Sequence, residues 1–196
     1  MLKMSIKKGI STQKMVLAAV MTALVIVFQL LATFTAFFGP FSTAMALIPI
    51  VIGAALCGVG IGAWLGFVFG MVVLLSGGAA FFLQYNIIGT IITVLVKGTA
   101  CGFAAGLSYK LLRKVNEYVA VITAALLCPV VNTGVFLLGC AAFFMKDARL
   151  IAEAIGSDAS GMAVFWALAM ANFLIEVLSN VLLAPVVIRL LKIKKH

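Results

Sequence analysis

Acidic residues are scarce in this sequence: Asp and Glu together number five among 196 residues, and all charged residues make up 10%. A soluble domain averages roughly 25% charged residues, so the composition excludes an ordinary soluble protein. The hydrophobic fraction of 65% and the mean hydropathy of +1.30 indicate an integral membrane protein. No long polar stretch could fold outside the lipid bilayer, so we predict a single domain over residues 1–196.

Catalytic and metal-binding patterns are also missing. The one histidine is His196, and the sequence holds no H-E-x-x-H, no Gly-x-Ser-x-Gly and no P-loop. Four cysteines lie in apolar segments without forming a C-x-x-C pair; they are Cys57, Cys101, Cys128 and Cys140. We therefore expect no catalytic residue, no metal site and no cofactor, and ATP hydrolysis by this chain is excluded.

About 20 apolar residues make one membrane crossing, so the sequence predicts an all-α bundle of six transmembrane helices. Gly39-Pro40 separates the first two, and Gly58, Gly60 and Gly62 predict a tight turn before the third. The only long polar loop is 146–161. The predicted spans are about 14–37, 44–61, 62–76, 87–108, 118–145 and 162–190.

The basic residues predict the orientation of these spans. Eleven of the fourteen lie before span 1, between spans 4 and 5, or after span 6, which is one side of a six-span bundle. Basic loops stay cytoplasmic, so both termini are predicted to be cytoplasmic in the cell (plasma) membrane. The net charge of +9 is then a topology signal, and no nucleic-acid partner is expected. The eleven are Lys3, Lys7, Lys8, Lys14, Lys110, Arg113, Lys114, Arg189, Lys192, Lys194 and Lys195.

Spans 3 and 4 carry glycine at every fourth position, and such faces let helices approach closely in lipid. They predict packing within this chain or, alternatively, docking to another membrane subunit. The glycines are Gly62, Gly66 and Gly70, and Gly98, Gly102 and Gly106.

Lys97 and Glu176 stand near the centres of spans 4 and 6. An ionisable side chain in the hydrocarbon core is costly, so it usually faces a bundle interior, a partner or a ligand. Asn132 lies at a similar depth in span 5. Three helices thus carry polar groups near the midplane.

Helical spacing extends this constellation. Residues four apart share one helix face, which joins Asn172 and Asn180 to Glu176, and Thr93 to Lys97. Gln84 belongs to an uncharged polar cluster at the outer end of span 4, and Phe136 belongs to a group of aromatic residues in the outer half. The candidate substrate-binding residues are Lys97, Asn132, Asn172, Glu176, Asn180, Thr93, Phe136 and Gln84.

Two interpretations of the central charges remain open. In one, Lys97 and Glu176 form an ion pair that fixes helix packing, with the asparagines as interhelical hydrogen-bonding groups. In the other, asparagines around one cation and one anion, close to aromatic residues, bind a small polar or zwitterionic ligand. The two overlap if the pair closes when the site is empty.

Three segments resemble the substrate-binding S components of energy-coupling factor (ECF) transporters. Residues 14–28 are similar to the first helix of that family, whose Ala-x-x-x-Ala face is matched by Ala19 and Ala23. The segment 128–136, with Pro129, Asn132, Thr133 and Phe136, resembles the Pro-x-x-Asn-Thr-x-x-Phe segment of many vitamin S components. Span 6, ending at 180–185 before a basic tail, also fits.

The resemblance implies a high-affinity vitamin-binding subunit of an ECF-type ABC importer. Its partners would be a transmembrane T coupling subunit, docked on Ala19 and Ala23, and two cytoplasmic ATPase subunits. The vitamin would enter a pocket in the outer halves of spans 4, 5 and 6. Lys97 suggests an anionic ligand group, which makes pantothenate the first candidate, with folate-like, riboflavin-like and pyrimidine-type ligands also open.

Two other classes of function are compatible with the sequence. A stand-alone small secondary transporter would need an ion-coupling site, which Glu176 could supply. A non-transporting membrane scaffold would use Lys97 and Glu176 only for packing.

Overall fold

The computed structural model describes residues 12–35 and 44–193. These two ranges consist of helices and short connections and contain no strand, so the all-α prediction is confirmed. The predicted break at Gly39-Pro40 lies outside the described residues. So do the basic residues Lys3, Lys7, Lys8, Lys194 and Lys195.

The described residues form eight α-helices, with a 3₁₀ turn before α2 at Ala44–Ala46 and another before α7 at Met145–Asp147. Two of the helices, α4 and α7, lie where the sequence predicts loops. The helices are α1 (Thr12–Thr35), α2 (Leu47–Cys57), α3 (Val59–Leu75), α4 (Ala80–Leu83), α5 (Ile87–Leu112), α6 (Glu117–Phe143), α7 (Ala148–Ala154) and α8 (Met162–Ile193).

Four of these helices, α1, α5, α6 and α8, are long and apolar enough to cross a membrane. The other two apolar helices are shorter, with 11 residues in α2 and 17 in α3. At a rise of about 1.5 Å per residue they measure about 16 and 26 Å, against a hydrocarbon core of about 30 Å. Six crossings and the orientation of the termini therefore remain predictions.

Asparagine side chains cap the N-termini of two of the long helices, α5 and α6. Asn86 Oδ1 accepts a hydrogen bond from the Gly89 backbone N–H at 2.8 Å, and Asn116 Oδ1 accepts one from Tyr118 N–H at 2.8 Å. Such N-caps satisfy amide groups that the first helical turn leaves without acceptors. Asn86 Nδ2 also donates to the Phe143 carbonyl at 3.3 Å, which ties the start of α5 to the end of α6.

The turn between α2 and α3 occurs at Gly58, four residues earlier than the predicted boundary at 61/62. Gly58 has a φ of +106°, a conformation that only glycine adopts without steric cost. Gly60 and Gly62 lie inside α3. The predicted glycine turn is confirmed at Gly58. The boundary at 61/62 was wrong because the three glycines look equivalent in sequence, whereas only Gly58 adopts the turn conformation.

The glycine stripes of α3 and α5 pack against each other, so the prediction of packing within this chain is confirmed. A Cβ at Gly66 would clash with the carbonyl of Gly98, and a Cβ at Gly98 would clash with the carbonyl of Gly66. A Cβ at Gly70 would lie 2.9 Å from the Val94 carbonyl oxygen. Close backbone contact of this kind is how small residues associate helices in lipid.

We predict that Gly66→Ala lowers the stability of the protein. The added methyl meets backbone atoms of α5, which cannot rotate away, and overpacking of this kind costs about 1–3 kcal/mol. Gly134→Ala is the matched control, because a Cβ at Gly134 in α6 meets nothing within 4 Å. Unfolding midpoints of both variants in detergent test the prediction, and equal midpoints would contradict it.

Two hydrophobic clusters organise the bundle. The larger runs through α1, α2, α3, α5, α6 and the second half of α8. The smaller joins the end of α6 to α7 and the start of α8, with Phe144, Ile151 and Phe165 fully enclosed. Rings from the α4 region pack against this smaller cluster. The segment predicted as a polar loop therefore carries a short helix, α7, whose buried side (Ala148, Ile151 and Ala152) packs into this cluster at one end of the bundle.

Candidate functional site

A cavity of about 80 Å³ lies between α3, α4, α5 and α6, next to aromatic rings of the smaller hydrophobic cluster. One wall is a stripe of α5, and the opposite wall is formed by aromatic rings. The lining residues are Val73, Gly78, Ala79, Phe82, Thr90, Thr93, Val94, Lys97, Phe136 and Phe144. The cavity is therefore mostly apolar, with polar groups on one helix.

The polar wall comes from the stripe of Thr90, Thr93 and Lys97, which helical geometry places on one face of α5. Thr90 Oγ1 donates to the Asn86 carbonyl at 2.7 Å and is satisfied within the helix. Thr93 Oγ1 is buried and has no hydrogen-bond partner among the described residues. A buried polar atom without a partner carries a free-energy cost of about 1–3 kcal/mol, so a hydrogen bond from this hydroxyl to a ligand or a water would be favourable.

Gly139 holds α6 against this stripe. A Cβ at Gly139 would clash with the Thr93 side chain. Because glycine occupies this position, α6 approaches α5 closely enough to bury the Thr93 hydroxyl. The same approach brings Phe136, about one turn earlier on α6, over the next turn of α5.

Lys97 is half-buried, and its ammonium lies 5.4 Å from the centroid of the Phe136 ring. A cation at this distance from a ring face is attracted by the π electrons. No ion pair between described residues involves Lys97; the one such pair joins Arg149 to Glu153 at 3.2 Å. Within the described part of the chain, the Phe136 ring is thus the one direct partner of the Lys97 ammonium, which faces the cavity.

The aromatic wall is built from edge-to-face contacts. Phe82 packs against Phe136 at a centroid distance of 5.5 Å and against Phe144 at 5.3 Å. Phe81 and Tyr85 extend the group along α4 and the turn that follows it. These rings close the cavity on the side of α7.

Glu176 is the centre of a separate hydrogen-bond network. Its side chain is 1% exposed and accepts from Asn132 Nδ2 at 3.3 Å and from Asn172 Nδ2 at 3.0 Å. Asn180 Nδ2 donates to the Glu176 backbone carbonyl at 2.8 Å. Asn132 Oδ1 is buried without a hydrogen-bond partner in the described part of the chain. Two side-chain amides thus donate hydrogen bonds to the Glu176 carboxylate, and the Asn132 side-chain oxygen accepts none from the described residues.

Lys97 and Glu176 do not form a direct ion pair, since the one salt bridge between described residues joins Arg149 to Glu153. The packing interpretation required a close contact between the two. The asparagines instead satisfy the carboxylate, which leaves Lys97 facing the cavity.

The structure divides the eight predicted site residues into three groups. Thr93, Lys97 and Phe136 line the cavity. Asn132, Asn172, Glu176 and Asn180 form the hydrogen-bond network, and none of the four lines the cavity. Gln84 is exposed, where α4 ends.

On α5, sequence reasoning missed Val94 as a cavity residue. Elsewhere it missed Phe144, Val73, Gly78 and Ala79. Phe144 stands eight positions after Phe136, a spacing of about two helical turns that could have linked the two. Val73, Gly78 and Ala79 come from the end of α3 and the turn before α4. No periodic sequence pattern there indicates which residues face the interior.

The described residues offer no cluster of three or more His, Cys, Asp or Glu side chains that could hold a metal ion. The cavity itself combines a cation, a free hydroxyl and aromatic surface. Such a combination can bind a small molecule that has an anionic group and an apolar part, since ligand pockets pair apolar walls with a few placed polar groups.

The family described as ECF transporter, substrate-specific component matches residues 13–188, about nine-tenths of the chain. No curated protein and no solved structure matches. The family match covers the helices that build both the cavity and the Glu176 network. This chain therefore belongs to the substrate-specific components of ECF transporters.

Proposed function

We propose that the chain binds a small anionic vitamin or vitamin precursor in the cavity between α3, α4, α5 and α6. The observation that supports this most directly is the pair formed by Lys97 and Thr93. Among the residues that the structure describes, the ammonium has no carboxylate partner and the buried hydroxyl has no hydrogen bond, and the two groups stand one helical turn apart on the same wall. A carboxylate on the ligand would satisfy both groups.

The other walls limit the chemistry of the ligand further. Phe82, Phe136 and Phe144 offer apolar surface to a hydrocarbon or ring portion. Pantothenate has one carboxylate, hydroxyl groups, an amide and a branched apolar centre, so it is the first candidate. Folate-like, riboflavin-like and pyrimidine-type ligands also combine polar edges with flat or apolar surface, and they form the remainder of the test panel.

The ligand would enlarge the cavity on binding. The present volume of about 80 Å³ is small beside the roughly 300–1,000 Å³ typical of ligand pockets. The wall that can yield is the aromatic one, since Phe82 lies on the short helix α4 and Phe144 belongs to the same cluster as the short helix α7. Displacement of the Phe136 ring would free Lys97 from its cation–π contact and turn the ammonium to the ligand.

Transport would require partners. The chain would dock on a transmembrane T coupling subunit, and two cytoplasmic ATPase subunits would hydrolyse ATP. Ala19 and Ala23 lie on an exposed face of α1, and small residues there allow a partner helix to approach closely. The complex would import the vitamin across the plasma membrane.

The Glu176 network favours one second candidate, a stand-alone secondary transporter. A buried carboxylate surrounded by amides is the kind of intramembrane group that binds a coupling ion. Transport by the purified chain alone in vesicles, driven by an ion gradient, would support this second candidate and contradict dependence on ATPases.

Thermal unfolding of the purified chain against a vitamin panel tests the proposal. A ligand that binds only the folded state stabilises it by mass action, by about 2.7 kcal/mol at a concentration of 100 Kd. We expect pantothenate to raise the unfolding midpoint and its alcohol analogue, which lacks the carboxylate, to do so far less. A panel in which no vitamin raises the midpoint would overturn the proposal.

A further inference from the structure

A second cavity, of about 390 Å³, lies at the opposite end of α5 and is much larger than the first. It is lined by the start of α1, the turn between α2 and α3, and the last turns of α5. Three basic side chains line it. Its lining residues are Lys14, Ala54, Ala55, Leu56, Cys57, Gly58, Val59, Gly60, Gly106, Tyr109, Lys110 and Arg113.

The charged residues that line this second cavity are all basic. Lys14, Lys110 and Arg113 come from two helices that are far apart in sequence, and they converge on one space. The nearest acidic residue in the chain sequence, Glu117, accepts a hydrogen bond from the Tyr109 hydroxyl at 3.5 Å. Three cations with one engaged carboxylate leave a net positive field, which favours an anion.

The shape of the cavity is held by the backbone. Gly106 packs against α3, because a Cβ there would lie 2.8 Å from the Val59 Cα. A Cβ at Gly58 or Gly60 would meet nothing within 4 Å, so open space begins directly beside this turn. The cavity therefore stays open between helices that are themselves tightly packed.

The walls are divided between polar and apolar surface. Ala54, Leu56 and Val59 give an apolar side, and the basic side chains stand at the end of the bundle. This combination matches a molecule with an anionic head and hydrocarbon chains. Basic pockets between transmembrane helices at the cytoplasmic end are known to hold anionic lipid headgroups.

We propose that this second cavity binds the phosphate of an anionic membrane lipid. The phosphate would lie among Lys14, Lys110 and Arg113, with the glycerol and the first acyl carbons against the apolar side. The site is distinct from the vitamin cavity and independent of the proposed function, because no residue lines both. It would fix the relative positions of α1, α3 and α5 at this end.

The test titrates the purified full chain, in a neutral detergent, with phosphatidylglycerol, phosphatidylcholine or inorganic phosphate. Thermal unfolding and native mass spectrometry report binding. The test variant is Lys110→Gln with Arg113→Gln. The matched control is Lys114→Gln with Lys146→Gln, which removes the same charge from residues that do not line the cavity.

We expect phosphatidylglycerol to bind and stabilise the unmodified chain and the control, and phosphatidylcholine to have little effect. The test variant should need about 25-fold more phosphatidylglycerol, at roughly fivefold for each basic residue removed. If inorganic phosphate stabilises the chain with the same dependence on the variants, the cavity is an anion site, but the proposal that a lipid supplies the anion is overturned. Equal responses of the test and control variants, or of the two lipids, would overturn the proposal.

Discussion

Lys97→Met should weaken binding of the vitamin roughly 5- to 150-fold. Removing a charge-assisted hydrogen bond costs about 1–3 kcal/mol, and among the described residues the Lys97 ammonium is the one cation that lines the cavity. Methionine keeps the length and apolar stem of the side chain, so the loss reports the charge. Isothermal titration of the purified protein with the vitamin that stabilises it measures the effect.

Lys114→Met is the control for Lys97→Met, since Lys114 is exposed and lines neither cavity. Its affinity should equal that of the unmodified chain. Thr93→Val gives a second comparison, because it removes the unpaired hydroxyl and preserves the side-chain shape. Full affinity in Lys97→Met would show that the ligand does not contact this ammonium.

Replacing both Ala19 and Ala23 with Trp should abolish uptake and leave vitamin binding intact. Both alanines are exposed on α1, so the larger rings can project outward without disturbing the core. A partner helix that approaches closely over small residues would be blocked. Vitamin uptake in cells that supply the T and ATPase subunits, together with affinity of the purified variant, separates docking from binding.

Ala141→Trp is the matched control for the docking variant, because Ala141 is an exposed alanine on a different helix, α6. Uptake should persist in this control. Ala18→Trp differs again: Ala18 is 8% exposed, so its replacement should destabilise the fold itself. Normal uptake with Trp at both 19 and 23 would exclude this face of α1 as the docking surface.

Contacts that depend on helical spacing were predictable from the sequence. The four-residue spacing of Asn172, Glu176 and Asn180 predicted one face, and the structure links all three by hydrogen bonds. The glycine stripes predicted the close contact of α3 and α5 for the same reason: the period of the helix determines which residues share a face.

What could not be predicted is how one helix is rotated relative to another. Counting residues gives the depth of Lys97 and Glu176 in the membrane, and their depths are similar, but it does not give their directions around the bundle. The structure therefore separates the carboxylate network from the cavity that Lys97 lines. The location of Phe144 at the cavity depends in the same way on tertiary packing, through its contact with Phe82.

The short helix α7 shows a second reason why part of the fold could not be predicted from the sequence. Residues 146–161 are rich in charged and small polar residues, which predicts a loop, yet Ile151 is completely buried against α8. A helix of seven residues, about two turns, with one apolar side leaves too short a pattern to distinguish from a loop. Tertiary burial of Ile151 and Ala152 stabilises this helix more than local propensity does.

The most direct test of the account compares Lys97→Met with the double variant Lys97→Met and Glu176→Gln, in both unfolding midpoint and affinity for the stabilising vitamin. If Lys97 binds the ligand, the double variant remains folded, and its affinity for the vitamin stays as low as that of the single variant or falls further. If Lys97 served only to balance Glu176, removing both charges would restore stability and binding together. Low affinity with the fold retained is the result that we predict, and affinity equal to that of the unmodified chain would contradict the account.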